Sequence, residues 1–422
     1  MNILDTFKAR YLFEDMTSHE LAKALDKPLT VYAGFDPTND SLQAGNFVTI
    51  MALAHLQRAG HKVIALVGGA TGLIGDPSGK SKERNLLSAE QVERNLEGIK
   101  ENLSRFIDFS PDSPNPAIMV NNYDWFKDFT FVDLLREIGR YFRMGVMLSK
   151  DSVKKRMESE EGMSFTEFCY QILQGYDFYH LYKTYGCSLQ LGGSDQWGNI
   201  TAGTELVRRI CGEEVFGMTF PLVCDSTGKK FGKSEGNAIF LDARKTSYYD
   251  FYQFFLRAMD ADVIRYLKIF TFLPFERIAE LEQAVATAPE KREAQQVLAE
   301  ELTRTVHGEL GLAIAKKATD VLFGGSLDGL AAEDLEKIFA NVPSAMLPAD
   351  QVLGKPVFDV IAAAGMVASK GEARRLVQQG GLSINNVRVS GLERVFETGD
   401  LIEGRLAVLR SGKKNFFLLK VQ

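Results

Sequence analysis

The sequence predicts an α/β fold: a parallel sheet with helices on both faces, then a helical segment and a small, basic α+β module. Three observations carry that prediction. Short apolar runs alternate with helical patterns through the first half of the chain. After Tyr248 the pattern turns to helix-forming stretches, and two prolines within Asn341-Val-Pro-Ser-Ala-Met-Leu-Pro-Ala-Asp350 mark a linker. Beyond it, residues 354–422 hold 11 Lys/Arg against 6 Asp/Glu, a net +5, which leaves 38 basic and 49 acidic residues on the body.

Each element follows from its own residues. Residues 29–34 and 62–67 read as buried strands, being continuous runs of β-branched and small apolar residues. Residues 46–59 between them are apolar on more than one side, as in a packed helix, and complete a β-α-β unit. Strand-like runs at 117–120, 188–191 and 220–224 extend the sheet, so residues 1–245 form one α/β domain. Residues 246–340 form a helical domain, within which Pro289 suits a first turn and Leu298, Leu302 and Val306 recur four apart. A linker at 341–353 leads to the basic module at 354–422. There, 357–364 and 371–379 look like short helices, and 382–389 looks like a hairpin whose Asn385-Asn386 tolerates positive φ.

Composition excludes several classes of protein. At 422 residues the chain exceeds a single hydrophobic core. With 45% hydrophobic and 25% charged residues it is neither mainly disordered nor collagen-like. No apolar stretch approaches the roughly 18 residues of a membrane span, so no membrane association is expected. The N-terminus is charged from Asp5 and lacks the apolar block of an export signal, which points to the cytoplasm. Cys169, Cys187, Cys211 and Cys224 make no C-x-x-C pair and no metal-like spacing with the histidines, so they read as reduced thiols with no tightly bound metal. The basic module suggests a polyanion-binding appendage; a solvated basic face is the alternative on charge alone.

Three glycine-rich segments stand where ligands bind in open α/β sheets. The first, Val67-Gly-Gly-Ala-Thr-Gly-Leu-Ile-Gly-Asp-Pro-Ser-Gly-Lys-Ser81, follows a strand. A Walker loop needs glycine where Ile74 stands, and no glycines fall at i, i+2 and i+5, so neither a P-loop NTPase nor a dehydrogenase is supported. The second, Gly34 to Asn46, leads into a helix N-terminus that favours phosphate, with Gly45 allowing close approach. The third, Ser226-Thr-Gly-Lys-Lys-Phe-Gly-Lys-Ser-Glu-Gly236, sets Lys230 and Lys233 among glycines as a cationic clamp for a polyphosphate. Taken singly, each also reads as a polar surface loop.

Taken in order, these segments resemble the bacterial-type tyrosyl-tRNA synthetases, within the class I aminoacyl-tRNA synthetases. The residues that carry the resemblance are Tyr32-Ala-Gly-Phe-Asp-Pro-Thr38, residues 68–81, Asn121-Asn-Tyr-Asp-Trp125, Tyr170-Gln-Ile-Leu-Gln-Gly-Tyr-Asp-Phe178, Gly192-Gly-Ser-Asp-Gln-Trp-Gly-Asn199 and Lys230-Phe-Gly-Lys-Ser234. It implies a Rossmann-like catalytic domain, a helical domain on the tRNA anticodon side, and an RNA-binding module of the ribosomal-protein type. It also implies a two-step reaction, in which L-tyrosine and ATP give tyrosyl-adenylate and pyrophosphate, and the tyrosyl group then moves to tRNA(Tyr). Mg2+ would be carried with ATP, and a homodimer would form on residues 125–155. By the same resemblance, Asp76, Tyr170, Gln174 and Asn122 would surround the substrate ammonium, and Tyr32 and Asp177 would meet the phenol hydroxyl. Gly34, Asp36, Gly45, Gly192, Asp195, Gln196 and Lys233 would line the ATP side, with Asp195 on the ribose. Lys230, Lys233, Thr38, Gln43 and Asn46 would serve catalysis.

The nucleophile of the first step needs no base, because an α-carboxyl group with pKa about 3.5 is already ionised at neutral pH. Catalysis reduces to alignment and to stabilising the leaving pyrophosphate. Here the sequence departs from its class, which usually carries His-x-Gly-His where Gln43-Ala-Gly-Asn46 stands. Neutral amides donate hydrogen bonds but cannot become cationic near neutral pH. Neither His55 nor His61 is placed to substitute. A catalytically weakened RNA-binding paralogue is therefore the alternative reading. A tryptophan-specific relative fits poorly, because an indole donates and cannot accept.

Overall fold

The structure is a computed structural model and describes residues 2–78, 88–160, 162–234, 237–322, 325, 327, 331–339, 342–412 and 415–422. Gly79, Lys80 and Ser81 of the first glycine-rich segment and Asn341 of the expected linker lie outside the described residues. By internal contacts the chain forms two units, Met1–Asp242 with Leu256–Val306, and Ala243–Phe255 with His307–Gln422.

The first unit is built on six strands: β1 (Asp15–Met16), β2 (Thr30–Phe35), β3 (Lys62–Val67), β4 (Ile118–Asn121), β5 (Cys187–Gly193) and β6 (Phe216–Phe220). Their order in the sheet is β1-β6-β5-β2-β3-β4, parallel throughout except for β1 against β6. The apolar runs become strands because both faces are covered; every residue of Val63–Val67 is buried. The strand expected at 220–224 lies four residues earlier. Pro221 has no N–H to offer a ladder and ends it. No sequence signal marks β1, which is two residues long.

After β2 the chain adds β3 and β4 on one side, then lays β5 on the other, so strand order reverses between β2 and β5. Loops leaving the carboxyl ends of these two strands diverge and open a crevice. Two helices frame it. Phe47–Arg58 buries its apolar residues on more than one side. Phe165–Tyr185 starts at a reciprocal Ser164–Glu167 cap and stops at Gly186, whose φ of 64° a side chain would strain.

The residues expected as a helical domain, 246–340, divide between the two units. Residues 256–306 belong with the sheet unit, where the Arg10 guanidinium donates to the carbonyls of Thr271 and Leu273 at 2.8 and 2.7 Å. Leu298, Leu302 and Val306 are buried, as their spacing predicts. The helix over Glu293–Leu322 breaks at Gly308, with φ 71°. Past that point Ala318, Val321, Leu335 and Phe339 share a core with Leu406, Val408 and Leu418. Burial of these apolar faces is what moves the boundary.

The second unit carries strands β9 (Ser344–Leu347), β10 (Leu382–Ile384), β11 (Val387–Arg388), β12 (Leu406–Ser411) and β13 (Asn415–Val421), in the order β11-β10-β12-β13-β9. The short ribbon of β7 (Lys233–Ser234) and β8 (Asn237–Ala238) precedes them in the chain. The expected linker is thus partly a strand, since β9 pairs in parallel with β13. Pro343 and Pro348 stand just outside β9, where no ladder N–H is needed, and the Pro343 carbonyl accepts from Leu418 N at 2.9 Å. Helices at Val357–Ala363 and Lys370–Gln378 and the hairpin turn at Asn385-Asn386, with φ of 48° and 64°, match the sequence reading.

Candidate active site

The crevice at the ends of β2 and β5 is a cleft of about 700 Å³. From β2 and the loop after it come Tyr32, Gly34, Asp36 and Thr38, and from the loop entering the Phe47–Arg58 helix come Gln43, Gly45 and Asn46. Asp76 arrives after β3, Gly192 from the end of β5, and Asp195 and Gln196 after it. Tyr170, Gln174 and Asp177 recur at i, i+4 and i+7, so one face of their helix aims all three into the cleft. Glycine at 69 is required by close approach, since a Cβ there would meet Asn121 Oδ1 at 2.1 Å.

One end of the cleft is organised around Asp177, which is 1% exposed. The Asn122 amide donates to its Oδ2 at 3.1 Å and the Trp125 indole N–H to its Oδ1 at 2.9 Å. Asn122 is itself held by Thr71 Oγ1 at 2.9 Å and by the Ala70 N–H at 2.7 Å. Burial pushes the Asp177 carboxyl up to about 8, against the pull of these two hydrogen bonds. The Tyr32 hydroxyl is buried beside it with no hydrogen-bond partner among the described residues, and burial followed by the Asp177 charge raises its pKa. Asn122, which the resemblance groups with the ammonium end, here donates to Asp177.

The other polar cluster is centred on Asp76. Its Oδ2 accepts from Gln196 Nε2 at 2.7 Å, its Oδ1 from Ser78 N at 2.9 Å, and Gln174 donates on to Gln196 at 3.3 Å. Asn199 reaches Ser78 Oγ and Gln196 Oε1, both at 3.2 Å. Among the described residues no lysine or arginine pairs with Asp76, so this buried carboxylate has donors but no counter-charge. Tyr170 donates to Asp36 Oδ1 at 3.3 Å.

The phosphate-side loops are fixed chiefly by backbone. Asn46 Oδ1 accepts from Gln43 N at 2.9 Å, while Ala44 N and Leu241 N tie residues 42–44 to 239–241 at 2.8 and 2.9 Å. Lys230 does not line the cleft; its side chain is exposed at the rim. Lys233 lies in β7, and its side chain, with Glu235 and Gly236, is outside the described residues. His55 meets Phe272 edge to face, with its pKa lowered to about 3 by burial and then by Arg10 and Arg58, and His61 Nδ1 accepts from Leu29 N. Both histidines pack; neither enters the cleft.

Sequence reasoning assigned no role to Thr71, Ser78, Trp125, Gln190 or Asn199. Trp125 and Asn199 stood inside quoted motifs, and Gln190 was readable as the single polar residue in Leu189-Gln-Leu191. Its Oε1 is buried in the cleft wall without a partner among the described residues.

Comparison with known proteins assigns the family. Residues 23–324 match the model of class I tRNA synthetases (W and Y), and residues 334–419 match the tyrosine–tRNA ligase SYY-like C-terminal domain. The tyrosine–tRNA ligase of Protochlamydia amoebophila is 49% identical over 421 residues, covering 100% of this chain and 99% of that one. That of Streptococcus suis is 49% identical over 421 residues, covering 99% and 100%. The chain belongs to the tyrosine–tRNA ligases. A solved relative of this ligase, a C-terminally truncated mitochondrial tyrosyl-tRNA synthetase of Coccidioides posadasii, superposes with TM-score 0.66 at 33% identity, covering 75% of this chain and 91% of that one. The catalytic sheet and the α+β C-terminal sheet are both those of the family. No described helix of the ligase is long and apolar enough to cross a membrane.

Proposed function

We propose that this ligase activates L-tyrosine with ATP in the β2–β5 cleft and then transfers the tyrosyl group to the 3′ end of tRNA(Tyr). Asp177 is the observation that carries the assignment of the cleft's ends. A phenol hydroxyl needs an acceptor and tolerates a donor, and Asp177 with Tyr32 offers both in a dry setting. Phenylalanine leaves those groups unpaired, a mode of rejection for which this class of enzyme is the standard illustration. Asp76, with no counter-charge among the described residues, is suited to the substrate ammonium, with Gln174 and Tyr170 beside it. That places the tyrosine carboxylate toward Thr38, Gln43 and Asn46.

ATP then occupies the remainder of the cleft, along Gly34, Asp36, Gly45, Gly192 and Gln196, with Asp195 on the ribose. The carboxylate attacks the α-phosphorus, the bond to the bridging oxygen breaks, and pyrophosphate leaves. Gln43, the first turn of the Phe47–Arg58 helix, Lys230 and Lys233 stabilise the charge that develops. Mg2+ is carried with the ATP phosphates and screens them. The basic C-terminal unit supplies tRNA phosphate contacts. A second copy of the chain covers Phe131, Val132, Met144 and Val146, each more than half exposed, giving a homodimer. The cytoplasm is the proposed compartment.

The deciding test is amino-acid-dependent exchange of labelled pyrophosphate into ATP, run with each common amino acid. Tyrosine alone is expected to support strong exchange. Exchange driven by tryptophan, or by no amino acid, overturns the reading.

A further inference from the structure

Phe231 and Gly232 sit between the two lysines of the phosphate loop, and the structure gives both a mechanical part. The Phe231 ring stacks on Phe270, 4.6 Å between centroids and 24° between planes, and lies 4.9 Å from Tyr266. Phe270 in turn meets Phe47 at 5.7 Å. Phe47 is the first residue of the helix that follows Gln43-Ala-Gly-Asn46. One buried ring on the Asp260–Phe270 helix therefore touches Phe231 of the lysine loop and the first residue of the helix that follows the Gln43–Asn46 loop.

Other contacts fasten the lysine loop to the same helix. Asp262, 2% exposed, accepts from both the backbone N and the Oγ of Ser226 at 3.0 Å, and Arg265 donates to the Cys224 carbonyl. The loop then presses against the cleft. Gly232 has φ 92°, and a Cβ on it would stand 2.7 Å from Gly45 N. Its carbonyl accepts from Ile239 N at 2.9 Å, the residue whose own carbonyl holds Ala44 N.

We infer that Phe231, seated on Phe270, is a positioning residue that holds Lys230 in register with the Gln43–Asn46 loop during adenylate formation. The inference rests on the proposed role of Lys230. An exposed lysine on a glycine-flanked loop samples many positions, and only those near the leaving phosphate help catalysis. Anchoring the adjacent residue in an aromatic stack removes part of that freedom before substrate binds. The glycine at 232 permits the approach that the stack enforces. Tyrosine is bound elsewhere, so the anchor affects the rate constant and leaves amino-acid affinity alone.

The test is single-turnover formation of tyrosyl-adenylate by the full chain, with tyrosine affinity measured in parallel. Phe231→Ala is expected to slow the step about 10- to 100-fold, the loss typical of slight misplacement, with tyrosine affinity within about twofold. Phe231→Tyr keeps the stack and is expected to hold most of the rate. Phe270→Leu, which keeps an apolar side chain but removes the ring, is expected to reproduce the slowing. In a Lys230→Ala background, Phe231→Ala should then do little, because there is no lysine left to position. Full additivity of the two losses, or an unchanged rate in Phe231→Ala, overturns the proposal. A Lys230→Ala enzyme as fast as the parent removes the lysine assignment itself, and this proposal with it.

Discussion

Trp125 donates its indole N–H to Asp177 Oδ1 at 2.9 Å, and the same indole stacks on His180 at 4.3 Å between ring centroids. Asn122 holds the second oxygen. A carboxylate gripped at both oxygens by groups that are themselves packed has little freedom to turn, and keeps its remaining acceptor capacity for the cleft. In the proposed reading, selection of a hydroxyl rests on that fixity as much as on the charge.

Replacing Asp177 with Ala is therefore expected to harm tyrosine far more than phenylalanine. The lost bond is charge-assisted and worth about 1.5–3 kcal/mol, or roughly 10- to 150-fold in kcat/KM at about 1.4 kcal/mol per tenfold. Steady-state pyrophosphate exchange with the two amino acids measures it. Equal losses for both would show that Asp177 does not discriminate.

Tyrosine affinity is expected to depend on pH. In the empty cleft the Asp177 carboxyl titrates near 8, so below that it holds a proton. A bound phenol that donates to the carboxylate favours the ionised form, so binding releases a proton and affinity rises with pH up to about 8. Stability runs the other way. The native state keeps a proton that the unfolded chain loses near 3.8, so the ligand-free enzyme loses stability as pH climbs from there to about 8. Asp177→Asn should flatten both profiles; calorimetry and equilibrium binding at several pH values check this, and slopes unchanged from the parent would count against it.

The parallel strands were legible because burial on both faces leaves a continuous apolar run, as in Val63–Val67. The residues at i, i+4 and i+7 on one helix were legible as motif members, and the helix period explains why Tyr170, Gln174 and Asp177 converge. The domain boundary was not. Nothing local distinguishes Leu298, which faces the sheet unit, from Ala318, which faces the C-terminal sheet; that choice is tertiary. Pro343 and Pro348 read as a linker because proline is excluded from ladders, yet the four residues between them fit one. Asn122 carried no signal of its neighbour, since its bond to Asp177 spans 55 positions in the chain.

Truncation probes the division between the two units. A chain ending at Ala349 keeps every residue of the cleft and should still make adenylate, but it removes Leu406, Val408 and Leu418 from the core they share with Ala318, Val321 and Phe339. The product is expected to lose tRNA charging, bind an apolar dye and aggregate on concentration. Dye fluorescence and light scattering read this directly. A monodisperse, dye-silent fragment would show that the segment after Gly308 folds without the C-terminal sheet.

The loop that replaces two histidines with amides yields the sharpest separation of chemistry from scaffold. Asn46 spends its Oδ1 on the Gln43 N–H, so Asn46→Ala should lower stability by about 0.5–2 kcal/mol, as loss of a cap does, and should show first in thermal melts. Gln43 shares that reciprocal cap, its side chain facing the Asn46 N–H. Gln43→Ala should therefore lower the melt about as much as Asn46→Ala and, if the amide donates to the departing phosphate, additionally slow adenylate formation roughly 10- to 150-fold through loss of about 1.5–3 kcal/mol. Tyrosine affinity should barely move, since the bond strengthens only as charge develops. Rapid-quench kinetics and thermal melts on the two variants decide it. A Gln43→Ala enzyme with the parent's rate constant would leave the stabilisation of pyrophosphate to the lysine loop and the helix N-terminus alone.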